Sequence, residues 1–143
     1  MKTLRGNTAL DTSALIEFLT GTKVGEIIKT YFKTIKPEET ANCSILTISE
    51  IFYILCRLEG PTFAEDKVND ILKSQILQVY NTTDLAIQTG KIKCKRAISL
   101  ADCSCIATAK LANAKAVFAR KEEEFVREMK TKPFDVGITF LQK

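Results

Sequence analysis

The segment ISLADCSCIATAKLANAKAVFA, which covers residues 98–119, indicates the fold more directly than any other part of the chain. Leu100 to Leu111 predicts a helix with many small residues, and small side chains allow a helix to pack closely on a sheet. Ala116 to Ala119 then predicts a short, buried strand. A buried strand of this kind is typical of a parallel α/β sheet, which is covered by helices on both faces.

The same alternation of strands and helices continues along the chain. Gly21 and the pair Gly60-Pro61 end two of the predicted helices. The other predicted strands are Thr8 to Asp11, Asn42 to Leu46, Ile76 to Tyr80 and Val136 to Leu141, the last of them at an edge. The other predicted helices are the segment around Leu15 to Leu19, then Val24 to Phe32, Ile48 to Leu58, Thr62 to Lys73, Asp84 to Lys95 and Glu122 to Lys130. This order predicts the α/β class with a mainly parallel central sheet flanked by helices.

Length and composition fit one soluble globular domain over residues 1–143. Hydrophobic residues make up 45% and charged residues 27% of the 143 residues, which is an ordinary globular composition. No apolar run approaches the roughly 18 residues of a membrane helix, and the N-terminal segment lacks the apolar stretch of a signal peptide. We therefore expect a cytoplasmic protein with no membrane contact.

The chain has no histidine, and this excludes several kinds of site. Ser-His-Asp triads, Cys-His dyads and other His-based acid–base chemistry are ruled out. The 5 Cys residues are an odd number, which argues against a secreted disulfide framework, and a zinc site without His would need four thiolates. We expect these cysteines to be buried small apolar residues.

Acidic residues recur where a predicted strand ends or a predicted helix begins. They are Asp11, Glu50, Asp102 and one member of the run Glu122 to Glu124. The carboxyl ends of neighbouring strands in an open α/β sheet meet at one crevice, so these carboxylates are expected to lie together. Clustered carboxylates repel one another unless a cation lies between them, and Mg²⁺ is the common cation for carboxylate and phosphate oxygens. This pattern favours metal-dependent phosphodiester chemistry.

Each of these acids also has a purely structural interpretation. Asp11 is suited to cap the helix that follows it. Thr47 and Glu50 have the spacing of a capping box. Ser99 is a candidate cap for the next helix, whose dipole Asp102 would complement, and acids such as Glu122 to Glu124 are expected in any first helical turn. The apolar neighbours of Glu50 and Asp102 nevertheless indicate partly buried carboxylates that need a specific partner.

Basic residues surround one of the candidate acids. Eight of them occur between Lys91 and Lys121, and Asp102 is the only acid in that interval. They are Lys91, Lys93, Lys95, Arg96, Lys110, Lys115, Arg120 and Lys121. Such a zone suits a polyanion that approaches a metal centre, and the structural alternative is a solvated helix face.

Three stretches of the chain resemble the PIN-domain ribonucleases, and most of all the small VapC-type toxins of archaea and bacteria. They are LDTSALIEFLTG at residues 10–21, LTISEIFYIL at residues 46–55 and the segment at residues 98–119 quoted above. The resemblance implies a PIN-like three-layer sandwich. It also implies that Asp11, Glu50 and Asp102 hold Mg²⁺ or Mn²⁺, and that the hydroxyl of Thr12 or Ser13 lies near the metal.

The fourth acidic position departs from the family pattern. The family has Thr or Ser, any residue, then Asp, with Phe three residues after the Asp. Counting back from Phe125 places Glu122 at the acidic position, whereas counting forward from Ala119 places Lys121 there. We favour Glu122, with Glu123 as the substitute.

The resulting hypothesis is a metal-dependent endoribonuclease that is the toxin of a toxin–antitoxin pair. Four acids would be both catalytic and metal-binding, and six basic residues would bind the RNA backbone. The resemblance further implies a homodimer and an antitoxin that inserts a basic or bulky side chain into the acidic pocket. One alternative is a catalytically degraded PIN-like module that binds RNA or protein. A receiver-like phosphoacceptor domain is a weaker alternative, because only one acid lies near the first strand. The acids of the main hypothesis are Asp11, Glu50, Asp102 and Glu122, and its basic residues are Lys91, Lys93, Lys95, Arg96, Arg120 and Lys121.

Overall fold

The computed structural model describes residues 3–142 and has a central sheet of five strands. The strands are β1 Thr8–Leu10, β2 Ala41–Ser44, β3 Leu77–Tyr80, β4 Lys115–Phe118 and β5 Ile138–Phe140. All four neighbouring pairs are parallel, in the order β3-β2-β1-β4-β5. The prediction of a mainly parallel sheet is confirmed, and the last strand lies at an edge as expected.

Seven helices join and cover these strands within residues 3–142. They are α1 Thr12–Leu19, α2 Gly25–Thr34, α3 Ile45–Glu59, α4 Pro61–Lys73, α5 Thr83–Lys95, α6 Leu100–Leu111 and α7 Glu123–Thr131. None of the helices in this described part is both long and apolar enough to cross a membrane.

The alternation of side chains along the strands divides the interior into two cores. Leu10 and Val117 point into one core, which helices α1 to α4 complete with residues such as Leu15 and Ile51. Ala9, Ala116 and Phe118 point into the other core, together with residues of α6 and α7. Successive residues of a strand face opposite sides of the sheet, so one short run such as Lys115–Phe118 supplies both cores. The chain is thus a helix–sheet–helix sandwich.

Helix α6 lies closest to the sheet because its side chains are small. Every residue from Cys103 to Ala109 is buried, and Cys105 donates a long contact from Sγ to the carbonyl oxygen of Ala9 at 3.5 Å. All five cysteines are free, and Cys43, Cys103 and Cys105 are buried. The expectation of buried small residues holds for these three, while Cys94 is exposed.

Two predicted boundaries are wrong for identifiable local reasons. The second strand ends at Ser44 rather than Leu46, because the Ser44 hydroxyl accepts a hydrogen bond from the Leu46 amide at 3.1 Å and caps α3. The last helix begins at Glu123, and Glu122 is the extended residue that precedes it. As a result, Glu50 lies beyond the first turn of α3, and Glu122 precedes the first turn of α7.

Candidate active site

The strand order creates a crevice at the carboxyl end of the sheet. The chain runs outward from β1 through β2 to β3 and then returns to place β4 on the other side of β1, so the direction of winding reverses between β1 and β4. Ligands of open α/β sheets bind at such a reversal. A cavity of about 390 Å³ lies here, and all four acids of the hypothesis line it, namely Asp11, Glu50, Asp102 and Glu122.

Asp11 follows β1 directly and is almost fully buried. Its Oδ2 accepts hydrogen bonds from the Ser13 amide at 3.0 Å and from the Ser13 hydroxyl at 2.7 Å, so it caps α1 as well as lining the cavity. The pKa of Asp11 is raised to about 6, first by burial and also by the charge of Glu50, against the lowering effect of the Ser13 hydrogen bonds. Asp11 is therefore a helix cap, as its structural interpretation has it, and the same side chain lines the cavity.

Glu50 lies in the second turn of α3 and faces the cavity. The Thr12 hydroxyl donates to its Oε1 at 2.6 Å. The capping-box interpretation with Thr47 is wrong, because α3 begins earlier and is capped by Ser44. Glu50 therefore takes no part in helix capping, and the hydrogen bond from Thr12 of α1 holds its side chain instead.

Asp102 is the third residue of α6, and the Ser99 hydroxyl caps the helix by accepting from the Asp102 amide at 3.0 Å. The pKa of Asp102 is raised to about 7, first by burial and then by the negative charges of Asp11, Glu122 and Glu50, while the hydroxyl of Ser99 lowers it. A carboxylate at a helix N-terminus is ordinarily stabilised by the dipole, so the upward shift shows that burial and the acidic neighbours together outweigh that stabilisation.

The sequence left Glu122, Glu123 and Lys121 as candidates for the fourth acidic position. Glu122 lines the cavity, whereas the Lys121 ammonium is 5.9 Å from the centroid of the Phe140 ring and is not part of the cavity wall. Glu123 points elsewhere and pairs with Arg127 at 3.1 Å. Phe125, three residues after Glu122, is buried against other aromatic rings. This packing sets the register that brings Glu122 to the cavity.

Glu17 and Arg120 form a pair on the cavity wall. The Glu17 Oε1 accepts from the Arg120 guanidinium at 3.2 Å, and its Oε2 accepts from the Thr22 hydroxyl at 2.5 Å. Within residues 3–142, Arg120 is the one basic residue that lines this cavity. Glu17 was not among the predicted site residues, although it lies four residues after Ser13, a spacing that places both on one face of α1. Glu124 also lines the cavity.

Ser13 connects the two strands that flank the crevice. Its hydroxyl donates to Asp11 and accepts from the Ala119 amide at 3.0 Å, just beyond β4. Ala119 stands where the family pattern has Thr or Ser, so the hydroxyl that anchors this turn comes from α1. Thr12 and Ser13 thus hold one carboxylate each.

The remaining predicted basic residues lie outside the cavity. Lys93 donates from Nζ to the Ile98 carbonyl oxygen at 2.7 Å. Arg96 contacts Glu128 at 3.2 Å, donates to the carbonyl oxygens of Lys132 and Pro133, and stacks on the Phe134 ring. Arg96 therefore holds the end of α7, which argues against its predicted role as an RNA ligand. Lys91 and Lys95 are exposed on α5.

The donor set fits a hard divalent cation, although the carboxylates stand apart from one another. Within the described part of the chain, no three Asp, Glu, Cys or His side chains are grouped so that they could hold a metal ion. The wall nevertheless offers only carboxylate and hydroxyl oxygens as ligands, and the raised pKa values of Asp11 and Asp102 reflect buried and mutually repelling carboxylates. Oxygen donors of this kind suit Mg²⁺ or Mn²⁺.

Comparison with known proteins supports this architecture. A structure of VapBC2 from Rickettsia felis, bound to a promoter DNA fragment, is similar to the chain with a TM-score of 0.66 and 14% identity, over 93% of this chain and 97% of that one. VapC20 from Mycobacterium tuberculosis, described as a sarcin–ricin loop cleaving toxin, has a TM-score of 0.66 and 19% identity, over 85% and 94%. A DNA-bound VapBC from Salmonella typhimurium has a TM-score of 0.65 and 17% identity, over 95% and 98%.

Sequence comparison gives the family directly. No curated protein sequence matches the chain. The family model for the PIN domain matches residues 8–127, which include β1, the acidic cavity and most of α7. The chain therefore belongs to the PIN-domain family.

Proposed function

We propose that this protein is a metal-dependent endoribonuclease and the toxin of a toxin–antitoxin pair. The observation that carries the proposal is the cavity at the β1–β4 reversal, which Asp11, Glu50, Asp102 and Glu122 all line in a chain of the PIN-domain family. The fold shared with VapC20 and with VapBC structures supports it.

Asp11, Glu50, Asp102 and Glu122 would hold Mg²⁺ or Mn²⁺. A bound divalent cation lowers the pKa of a water molecule and offsets the charge that develops on the phosphate and leaving oxygens. The two carboxylates with raised pKa values would lose their protons on binding, because a metal ligand must be deprotonated. No side-chain nucleophile is needed, which agrees with the absence of His.

The hydroxyl residues of α1 orient the acids. Ser13 fixes Asp11 to the end of β4, and Thr12 fixes one oxygen of Glu50. Preorganised ligands of this kind reduce the reorganisation that a reaction requires.

Arg120 would face the phosphate that enters this acidic cavity. Its guanidinium is bound to Glu17, and its side chain is 53% exposed, so it can reach a ligand at the cavity mouth. A guanidinium matches the geometry of phosphate oxygens. The electrostatic repulsion between the phosphate and the acidic wall would be offset by the metal and by Arg120 together.

The substrate would be single-stranded or loop RNA. Bases are accessible there, whereas the grooves of an RNA duplex hide them. The description of VapC20 as a sarcin–ricin loop cleaving toxin supports this choice. Lys91, Lys95 and Lys121 would contact the backbone together with Arg120, and Lys93 would do so only after it leaves the Ile98 carbonyl.

Protein partners are expected on the apolar face of α3. Phe52 and Tyr53 are large and exposed on this face, as are Ile45 and Leu46 at the start of the helix. Large exposed apolar groups of this kind mark protein interfaces. They support the proposed homodimer and antitoxin, and the VapBC complexes that share the fold support the antitoxin as well.

Cleavage of end-labelled RNA tests the proposal. The wild-type protein should cut a set of single-stranded and hairpin RNAs with Mg²⁺ or Mn²⁺, and Asp102→Asn should lose at least about 100-fold in rate, because the site loses a metal ligand. The control is Asp66→Asn on the outer face of α4. Full activity in purified Asp102→Asn would remove its catalytic role. An inactive wild type that still binds RNA would instead favour the degraded binding module.

A further inference from the structure

A second cavity, of about 530 Å³, lies at the amino end of the sheet. It is formed by residues within segments 5–7, 109–115 and 135–137, and we refer to it as the amino-edge cleft. Residues 5–7 precede β1, residues 109–115 run from the end of α6 to the start of β4, and residues 135–137 precede β5. The cleft is therefore at the opposite edge of the sheet from the acidic cavity.

The charge of the amino-edge cleft is opposite to that of the acidic cavity. Arg5, Lys110 and Lys115 line it, and Asp135 is its one acid within residues 3–142. The Asp135 carboxylate is 3.0 Å from the Lys110 ammonium, so this pair is neutral. Arg5 and Lys115 form no salt bridge with any residue of the described chain. Two uncompensated cations beside a cleft favour an anionic ligand.

Hydrogen bonds to backbone groups hold together the segments that form the amino-edge cleft. The Asn7 side chain donates to the Asn113 carbonyl oxygen at 3.4 Å and accepts from the Thr40 amide at 2.9 Å. The Lys115 amide donates to the Asn7 carbonyl oxygen at 3.1 Å. Asn113 has a φ of 51°, a left-handed conformation that turns the chain sharply from α6 into β4 and that Asn tolerates better than most residues. The cleft is thus preformed.

A line of basic residues leads from this cleft towards the acidic cavity. A neighbouring cavity shares Lys110 and Asp135 with the cleft and adds Lys91 and Lys95 of α5. Beyond α5, Ile98 and Ser99 already line the acidic cavity. Along α6, Lys110 lies eight residues after Asp102, which corresponds to about 12 Å at 1.5 Å per residue. The basic surface and the acidic cavity are therefore at the two ends of one helix.

We propose that the amino-edge cleft binds the phosphodiester backbone of single-stranded RNA, several nucleotides away from the bond that is cut. This inference rests on the proposed function, and it adds a binding site whose contacts are to phosphates. Arg5 and Lys115 neutralise the phosphates, and Lys91 and Lys95 bind the strand between the two sites. The cleft favours RNA over an acidic peptide because its basic residues continue towards the acidic cavity.

The test measures the salt dependence of RNA binding by fluorescence anisotropy, with a chelator present to prevent cleavage. The ligands are labelled RNAs of about 20 and about 5 nucleotides, chosen because one nucleic-acid-binding domain covers about 4–16 nucleotides. The test variant is Arg5→Gln with Lys115→Gln. Glutamine keeps most of the Lys115 stem, which packs near Gly137. The control is Lys29→Gln with Lys33→Gln on α2, which removes the same charge across the sheet.

Loss of two phosphate contacts should lower the slope of log K against log salt by about 1.4, because each contact with a single strand contributes about 0.7. The same slope predicts that binding of the longer RNA weakens about 25-fold at 0.1 M salt. Binding of the short RNA should change much less. The control pair should leave the slope for both RNAs unchanged.

Three outcomes would overturn the inference. An unchanged slope in the test variant would do so, and so would an equal loss in the control pair, since net charge would then explain it. The third outcome is that poly-glutamate binds the wild type through Arg5 and Lys115 and RNA does not, which would assign the cleft to an acidic protein segment.

Cleavage of the short RNA is measured in parallel. If the wild type binds RNA through the cleft but does not cleave it, only the proposed function is refuted. If the wild type cleaves RNA and the test variant has an unchanged slope, only the role of the cleft is refuted.

Discussion

Removal of the Asp102 charge should stabilise the protein in the absence of metal. Burial and the neighbouring acids raise the pKa of Asp102 from its ordinary 3.8 to about 7. The folded state therefore holds a proton more tightly than the unfolded state does. The contribution of this proton to stability is complete below pH 4 and is lost as the pH rises through about 7. Asp102→Asn never carries the charge, so it should gain stability relative to wild type as the pH rises.

The size of the gain follows from the shift in pKa. Each unit corresponds to about 1.4 kcal/mol, so the full shift sets an upper limit of about 4 kcal/mol at pH 8. Relaxation and solvent screening reduce such values by a factor of two to three, which leaves about 1.5–2 kcal/mol. For a domain of this length that is roughly 5–8 °C in Tm. At pH 5 the gain should be less than half as large, because the folded carboxyl is still mostly protonated.

Urea and thermal denaturation with a chelator, at pH 5 and at pH 8, measure the effect. Asp135→Asn is the control, because the Lys110 ammonium lowers the pKa of Asp135 and its removal should give no gain. Mn²⁺ at about 100 times its Kd should stabilise the wild type by about 2.7 kcal/mol, which is enough to close the gap to Asp102→Asn. The reasoning is refuted if Asp102→Asn is less stable than wild type at pH 8, or if its gain does not depend on pH.

Three further predictions concern neighbours of the acids. Glu122→Gln should weaken Mn²⁺ binding at least about 10-fold in calorimetry, whereas Lys121→Ala should leave it unchanged, and the reverse result would place the lysine at the fourth position. Ser13→Ala should cost about 1–3 kcal/mol in urea denaturation, because the buried Asp11 carboxylate loses its hydroxyl donor and the Ala119 amide loses its acceptor. Unchanged stability and kcat would contradict the orienting role of Ser13. Arg120→Ala should lower kcat for RNA about 10- to 100-fold by loss of a charged phosphate contact, while Arg127→Ala should not, and equal losses would reduce the effect to net charge.

The alternation of elements could be predicted because its signals are local. Gly60-Pro61 marks the boundary between α3 and α4, and the small residues of α6 indicate close packing on a sheet. The boundary between β2 and α3 could not be placed, because Ser44, Thr47 and Ser49 are all capping residues by type. Only the hydrogen bond from the Leu46 amide identifies Ser44 as the cap.

The acids at strand ends could be predicted for the same reason, since parallel strands bring their carboxyl ends together. The Glu17–Arg120 pair could not, because its members are 103 residues apart and neither follows a motif. The position of Arg96 in a basic run indicates an RNA ligand. Its contacts with Glu128 and with the carbonyl oxygens beyond α7 are 32 to 37 residues away in sequence, and only the tertiary fold shows them.

Titration of the wild-type protein with Mn²⁺ by calorimetry, alongside Asp11→Asn, tests the central claim most directly. The account predicts a binding site in the wild type whose affinity falls at least about 10-fold in Asp11→Asn. Binding near pH 6.5 should also release protons from the carboxyls of Asp11 and Asp102, whose pKa values are raised to about 6 and about 7, and the heat should therefore depend on the buffer. No Mn²⁺ binding by the wild type, or equal affinity and equal proton release in Asp11→Asn, would contradict the acidic cavity as a metal centre.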